Sequence, residues 1–163
     1  MLSSFIADRR QARAFTLVEI LIVVVVLGIL AAIVVPQFAS ATNDAIKSHL
    51  SRNLQAVDHQ VALYKANNGD RLPTDDPTSP MGAAGAAAFG WGVLVSENYL
   101  KEAPMNFYTS SAALIAGDRA ASLDATSDAA NGWFFEADGT SLFVYAAGYD
   151  PSDDSLAHER AGG

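Results

Sequence analysis

Glu19 is the residue of this sequence with the clearest need for a chemical partner. It lies at the start of a long apolar run, and residues 20–35 contain no polar side chain. A carboxylate in such a position is costly in a membrane and is generally paired with an opposite charge. The predicted chemistry at Glu19 is therefore an ion pair, and the question is where its cation comes from.

Three further carboxylates, Asp150, Asp153 and Asp154, lie close together in a polar segment near the end of the chain. Closely spaced carboxylate oxygens on a loop are the ligands that calcium prefers. The segment is also typical of a solvated acidic loop, and the sequence leaves both interpretations open. We expect no required cofactor, with calcium as the one metal to consider.

The remaining polar residues do not form a pattern typical of catalysis. His49 and His59 are ten residues apart on a predicted helix and do not share a face, and neither a Gly-x-Ser-x-Gly nor a His-Glu-x-x-His motif occurs. The chain has no cysteine, which excludes disulfides and thiolate zinc sites. We therefore predict that the protein is not an enzyme.

Charge is unevenly distributed along the chain. The net charge is −8, yet residues 1–14 hold three of the 10 Lys and Arg residues and only one of the 18 Asp and Glu residues. The acidic remainder argues against binding of nucleic acid, which requires clustered basic side chains. Arginines followed by an apolar run predict an N-terminus in the cytoplasm and a body on the far side of the membrane.

The apolar segment, residues 15–35, is long enough as a helix to cross the hydrocarbon of a bilayer, roughly 30 Å. One interpretation is a secretory signal peptide, with the small residues Ala39–Ser40–Ala41 as its cleavage site. The run is long for that role, and Glu19 would have no function in it. A second interpretation is a plain signal anchor that holds an extracytoplasmic domain.

A third interpretation comes from a resemblance. The basic leader, the Ala14–Phe15 junction, Thr16–Leu17–Val18–Glu19 and the run from Gly28 to Phe38 resemble the type IV pilin and type II secretion pseudopilin superfamily. Pro36–Gln37–Phe38 is more similar to type IV pilins. The segment 63–74 is more similar to the major pseudopilins of the protein G type, and the absence of cysteine also agrees with these proteins. We therefore favour a major pseudopilin over a type IV pilin.

The resemblance implies that a prepilin peptidase cleaves between Ala14 and Phe15 and that Phe15 is then N-methylated. The family generally has glycine before the cut, where this chain has Ala14. Alanine is the next smallest residue, so we expect cleavage to survive at a lower rate. In a filament, the Glu19 carboxylate would meet the terminal ammonium of a neighbouring subunit's Phe15. Such a pair in an apolar core sets register more than it adds net stability.

The resemblance also implies a calcium-binding loop directly after the last strand, where Gly148–Tyr149–Asp150 lies. The glycine-rich turn expected next is replaced here by Pro151–Ser152–Asp153–Asp154.

Beyond Pro36 the pattern becomes amphipathic. Apolar residues recur at spacings of three and four, which defines one face of a helix: Ile46, Leu50, Leu54, Val57, Val61 and Tyr64. Pro36 predicts either a helix boundary at Val35 or a kinked or locally loosened helix. Asn67–Asn68–Gly69 predicts the C-terminal end of this helix, since glycine readily adopts the left-handed conformation found there.

The rest of the chain predicts a small head. Val93–Leu100 is a short helix that brings Trp91, Leu94 and Tyr99 into the core. Asp138–Gly139 joins the strands Trp133–Ala137 and Ser141–Tyr145 in a hairpin. Residues 109–130 are predicted as a variable loop, and the tail from Asp150 as a fraying end.

The predicted fold is α+β and pilin-like. It comprises a leader (1–14), a transmembrane or filament-core helix (15–35), an amphipathic helix (36–66) and an extracytoplasmic head (67–163) with a small antiparallel sheet.

The predicted function is that of a structural subunit of a type II secretion pseudopilus or a type IV pilus-like filament. The resemblance implies as partners other copies of the chain, minor pseudopilins, the prepilin peptidase, the inner-membrane assembly platform and lipid. The subunit would cross the inner membrane once, with its head in the periplasm or outside the cell. The alternative is a membrane-anchored extracytoplasmic binding domain that does not polymerise.

Overall fold

The computed structural model of the protein describes residues 15–83 and 88–161. The chain divides into two compact units between Ser40 and Ala41. The predicted leader, including Ala14, lies outside the described residues. Each unit is built on part of one long helix, α1, which begins at Leu17 and ends at Asn67.

The first unit contains the apolar part of α1. Pro36 lies inside the helix, so the helix boundary that we considered at Val35 is not observed. Proline has no amide hydrogen and removes one bond of the helical ladder without ending the helix here. The Ser40 hydroxyl donates to the carbonyl oxygen of Pro36 at 3.3 Å, which adds a local bond near the same turn.

The second unit begins with the amphipathic part of α1, and the predicted stripe is confirmed. Five of its six residues are buried, and Ile46 packs against them: Leu50, Leu54, Val57, Val61 and Tyr64. The helix ends where the Asn–Asn–Gly stop predicted it. Gly69 takes a left-handed backbone (φ 65°), and the amide of Asp70 donates to the carbonyl of Lys65 at 2.8 Å.

The head contains short elements after α1. Two 3₁₀ turns, Pro73–Asp75 and Ala88–Gly90, come first. The further elements are α2 (Val93–Ser96), β1 (Leu114–Ala116), α3 (Arg119–Leu123), β2 (Trp133–Ala137), β3 (Leu142–Ala146), β4 (Tyr149–Asp150), β5 (Ser155–Leu156) and α4 (Ala157–Ala161).

The predicted hairpin is confirmed as β2 and β3, which pair antiparallel. Its turn is fixed by Asp138, whose carboxylate accepts from the amides of Thr140 (3.0 Å) and Ser141 (2.7 Å). Gly139 supplies the positive φ that the turn requires.

The sheet differs from the prediction because β1 adds to β2 in parallel, with Leu114 opposite Trp133. The sheet is thus mixed, not purely antiparallel. Residues 109–130, predicted as a loop, contain both β1 and α3. A parallel partner is distant in sequence, so a three-residue strand of this kind carries little local signal.

The tail was also predicted wrongly. Beyond Asp150 the chain forms β5 and α4, and Tyr149 pairs with Leu156 across β4 and β5. Leu156 is fully buried and anchors this otherwise polar stretch in the core.

The core of the head centres on Trp91 and Trp133, both fully buried, with ring centroids 5.8 Å apart in an edge-to-face arrangement. Both indole N–H groups are satisfied, by the carbonyls of Ala112 and Pro104 respectively, each at 2.8 Å. Leu94, on α2, is also fully buried, as predicted, although α2 is shorter than expected.

Candidate functional site

The N-terminal site begins with two residues outside the helix. Phe15 and Thr16 precede α1, and the side chain of Phe15 is 73% exposed. The amide of Glu19 donates to the Thr16 hydroxyl at 3.2 Å, and the amide of Ile20 donates to the Thr16 carbonyl at 3.4 Å. Thr16 therefore caps the helix through two acceptors.

This cap was missed from the sequence, although its signal was present. A threonine three residues before a glutamate, followed by an apolar run, is the pattern of a capping box. Glu19 consequently occupies the third position of the first turn, where a negative charge also interacts favourably with the helix dipole.

Glu19 has no ion-pair partner among residues 15–83 and 88–161. It stands at the beginning of a surface made of apolar side chains. Every side chain from Leu17 to Val35 is exposed, and this stretch of α1 is long and apolar enough to cross a membrane. The chain itself thus supplies neither cover for the apolar surface nor a cation for the carboxylate within the described part.

The three carboxylates of the C-terminal segment have separate surroundings. Asp150 is buried and forms an ion pair with Arg119, in which Oδ1 lies 2.7 Å from Nη2. Asp154 accepts from the Tyr149 hydroxyl at 2.9 Å, and Asp153 is exposed. Within the described residues, no three Asp, Glu, His or Cys side chains converge in a way that could hold a metal ion.

Hydrogen bonds to Asp150 also fix its charge. The hydroxyl of Ser152 donates to the carboxylate at 2.6 Å and lowers its pKa to about 2, against the effect of burial, with further help from the Ser152 amide and Arg119. The carboxylate is thus fully ionised at neutral pH, and its charge is balanced by a guanidinium. The arrangement does not fit calcium, because the most buried predicted ligand is already occupied by a cation.

Two polar residues that the sequence did not single out organise the head. Asn106 is fully buried, and its side-chain amide donates to the carbonyls of Gly132 (2.7 Å) and Ala147 (3.0 Å). Its side-chain oxygen accepts from the amide of Tyr108 at 2.8 Å. Asp76 is also buried and accepts from Tyr64, Thr78 and Ser79. The bonds from Thr78, Ser79 and Tyr108 are local turns of the kind that Asp and Asn favour, a signal that the sequence analysis did not use. The bonds to Tyr64, Gly132 and Ala147 reach distant segments, which no local pattern marks.

The histidines serve in packing and hydrogen bonding at separate places. The rings of His49 and Phe107 are perpendicular with centroids 4.5 Å apart, and His158 stacks on Tyr108 at 5.8 Å. His59 is exposed. Neither contact places an acid, a base and a nucleophile together.

Comparison with known proteins identifies the N-terminal segment. Residues 9–35 match the family model described as the prokaryotic N-terminal methylation motif. The match covers residues 9–14 of the leader, the Ala14–Phe15 junction, Glu19 and the apolar run.

The chain is similar to the type II secretion system core protein G of Pseudomonas aeruginosa, with 45% identity over 61 residues, 37% of this chain and 43% of that protein. The core protein G of Dickeya chrysanthemi is 34% identical over 100 residues, 61% of this chain and 56% of that protein. The type IV narrow pilus major component PilA5 of Thermus thermophilus is 40% identical over 66 residues, 40% of this chain and 56% of that protein.

The chain thus spans about half the length of the curated relatives it matches. No solved structure matches it. The motif, the relatives and the long helix with its small α+β head confirm the resemblance noted from the sequence: the chain carries the prokaryotic N-terminal methylation motif and is similar to type II secretion core proteins G and to a type IV pilin.

Proposed function

We propose that this protein is a structural subunit of a type II secretion pseudopilus or a closely related type IV pilus-like filament. The observation that carries the proposal is the methylation motif over residues 9–35, which coincides with an exposed apolar helix surface. The named relatives support it, since they include secretion core proteins and a pilus major component. The role is structural, without catalysis.

The proposed maturation step is cleavage between Ala14 and Phe15 by a prepilin peptidase, followed by methylation of the new terminus. The helix begins only at Leu17, so a cut before Phe15 leaves α1 whole. Calcium is not required in this proposal.

The proposed assembly contact is between two subunits. Packing of α1 against the helices of other subunits would cover the exposed apolar side chains, which lipid covers before assembly. The Glu19 carboxylate of one subunit would then pair with the terminal ammonium of Phe15 of the next. In an apolar surrounding, either charge left alone is costly, so only the matched register is favourable.

The proposed setting is the inner membrane, crossed once by α1, with the N-terminus in the cytoplasm and the head on the other side. Beyond its own copies, the partners would be minor pseudopilins, the prepilin peptidase and the inner-membrane assembly platform. We favour the pseudopilus over the pilus, since two of the relatives described are secretion core proteins.

Mass spectrometry of the mature protein tests the maturation step. The protein is expressed with a prepilin peptidase, purified from membranes in detergent, and its N-terminal peptide is sequenced. We expect a chain that begins at N-methylated Phe15. A chain that keeps Met1 would contradict the proposal and support a membrane-anchored domain that does not polymerise.

Replacement of Glu19 tests the assembly contact. We expect Glu19→Ala to remain in the membrane fraction but to lose most of its filament yield, because the terminal ammonium of Phe15 would lack its partner. The yield is measured in sheared cell-surface material by electron microscopy and immunoblotting. Glu102→Ala, which removes an exposed acid of the head, is the matched control and should assemble normally. Equal filament yields from the two variants would overturn the assembly role.

A further inference from the structure

The acidic residues for which the sequence suggested calcium lie at the end of β4 (Asp150) and in the loop between β4 and β5 (Asp153 and Asp154), and in the structure Asp150 is paired with an arginine. We propose that the guanidinium of Arg119 does the work of a bound cation here, so that the protein orders residues 148–156 without a metal ion. This inference goes beyond the proposed function, because it concerns how the head is held together and holds whether or not the chain polymerises.

The contacts of Asp150 carry the first step. One oxygen of its carboxylate, Oδ1, accepts from Arg119 Nη2 at 2.7 Å, from the Ser152 hydroxyl at 2.6 Å and from the Ser152 amide at 2.9 Å. Arg119 Nη2 also donates to the Ser152 hydroxyl oxygen at 3.0 Å. Three donors fill the acceptor capacity of that oxygen, and the positive charge beside it would repel a second cation.

Among the described residues, no second and third acidic side chain converges on Asp150 to hold a metal ion. Calcium takes six to eight oxygen ligands. Asp154 is turned to the Tyr149 hydroxyl, while Asp153 is exposed to solvent. The loop therefore offers one buried carboxylate, and that carboxylate has a permanent partner.

Arg119 is itself held firmly at the start of α3. The carboxylate of Asp118 accepts from the amide of Ala121 at 2.8 Å and caps this helix. Ser122, which is 1% exposed, donates to the Arg119 carbonyl at 2.8 Å, and its own carbonyl accepts from the amide of Gly148 at 2.7 Å. The helix that presents the guanidinium therefore also binds the backbone just before the loop.

A second arginine, Arg160, binds the segment at its β5 end. Arg160, on α4, donates to the carbonyl and hydroxyl oxygens of Ser155 at 3.1 and 2.9 Å, and to the carbonyl of Leu123 at 2.9 Å. The start of α3 is thus tied to β4 and its end to β5, both through charged hydrogen bonds, which are about twice as strong as neutral ones. Because both cations belong to the chain, the order of the loop does not depend on the calcium level outside the cell.

Hydrogen exchange of the full chain in detergent tests this inference. Peptides that cover residues 148–156 are followed by mass spectrometry in millimolar calcium and in a calcium chelator. For the unaltered protein we expect equal exchange in the two conditions. Arg119→Gln should raise the exchange rate of this segment on the order of tenfold, with or without calcium.

Arg52→Gln is the matched control. It removes the same charge from an exposed arginine whose Nε atom donates within its own helix, to the Ser48 carbonyl at 3.0 Å. Exchange of residues 148–156 should be unchanged in this variant. Slower exchange of the unaltered segment in calcium, or Arg119→Gln behaving like Arg52→Gln, would overturn the inference.

Asp150→Asn keeps the test decisive if Arg119→Gln does not fold. It leaves Arg119 in place and removes the negative charge with which its guanidinium pairs at 2.7 Å. A several-fold rise in exchange confined to residues 148–156, measured in the chelator, supports the inference. Exchange equal to that of the unaltered protein contradicts it.

Discussion

The two parts of α1 use the same kinds of residue in opposite ways. In the first unit Leu21 is 53% exposed, and its apolar neighbours are exposed as well; in the second unit Leu50 is fully buried. Both are leucines on one helix. The difference shows that the second part obtains its stability from a core within its own chain, whereas the apolar surface of the first part must be covered by something else.

The largest effect should come from removing an aromatic ring of the head core. We expect Trp133→Ala to lower the free energy of unfolding of the head by about 3–5 kcal/mol, because it leaves a large cavity beside Trp91. Urea denaturation of the detergent-solubilised chain, followed by Trp91 fluorescence, measures this. Phe143→Ala, on the neighbouring strand and 48% exposed, should cost less than about 1 kcal/mol. Equal costs would contradict the burial described for β2.

A smaller loss of stability should follow when the pH is lowered and Asp76 becomes protonated. Its Oδ2 accepts from the Tyr64 hydroxyl at 2.8 Å, so it joins α1 to the following loop. The hydrogen bond from the Thr78 hydroxyl, followed by that from the Ser79 amide and others, holds the pKa of Asp76 well below its ordinary value. Its ionised form is therefore favoured by folding. That contribution is fully present above the unfolded pKa, near 3.9, and is lost as the pH falls toward the folded pKa.

Asp76→Asn tests this contribution. We expect the variant to be less stable at pH 7 by about 1–3 kcal/mol and to lose less further stability between pH 5 and pH 2 than the unaltered protein. Arg71 and Glu97 are the other charged groups near this pair, acting on Tyr64. Asp75→Asn changes the same charge at the adjacent exposed position and should leave the acid transition in place. An unchanged transition in Asp76→Asn would show that another group controls it.

The smallest effect should come from the exposed part of α1. Val24 is 53% exposed and Val57 is fully buried, so they form a matched pair on one helix. We expect Val24→Ala to change head unfolding by less than about 0.5 kcal/mol, and Val57→Ala to cost about 2 kcal/mol. A large effect of Val24→Ala on urea denaturation would mean that the first part of α1 supports the head after all.

Regular local patterns could be predicted from this sequence, and pairings between distant segments could not. The apolar stripe from Ile46 to Tyr64 and the Asp138–Gly139 hairpin depend on neighbours a few residues apart, and both are confirmed. The parallel addition of β1 depends on residues about twenty positions further along, and it was missed. The same reason explains why the bonds of Asn106 to Gly132 and Ala147 were not predicted.

The candidate sites also differ in whether their residues are close together in the sequence. The sequence was sufficient to recognise the methylation motif and the position of Glu19, because both lie in one continuous segment. It named Asp150 as a candidate calcium ligand beside the alternative of a solvated acidic loop, but Arg119, 31 residues earlier, could only be found in the fold. The roles of Ala14, Phe15 and Glu19 in processing and assembly stay predictions until the experiments above are done.

The cap at Thr16 bears on how the proposed cleavage would affect the first turn of α1. The amides of Glu19 and Ile20 are both bound by Thr16, which lies after the predicted cut. These two bonds therefore survive the loss of everything before Phe15. The first helical turn would thus stay formed if the proposed cut before Phe15 is made, and the new N-terminus would be presented on an intact helix.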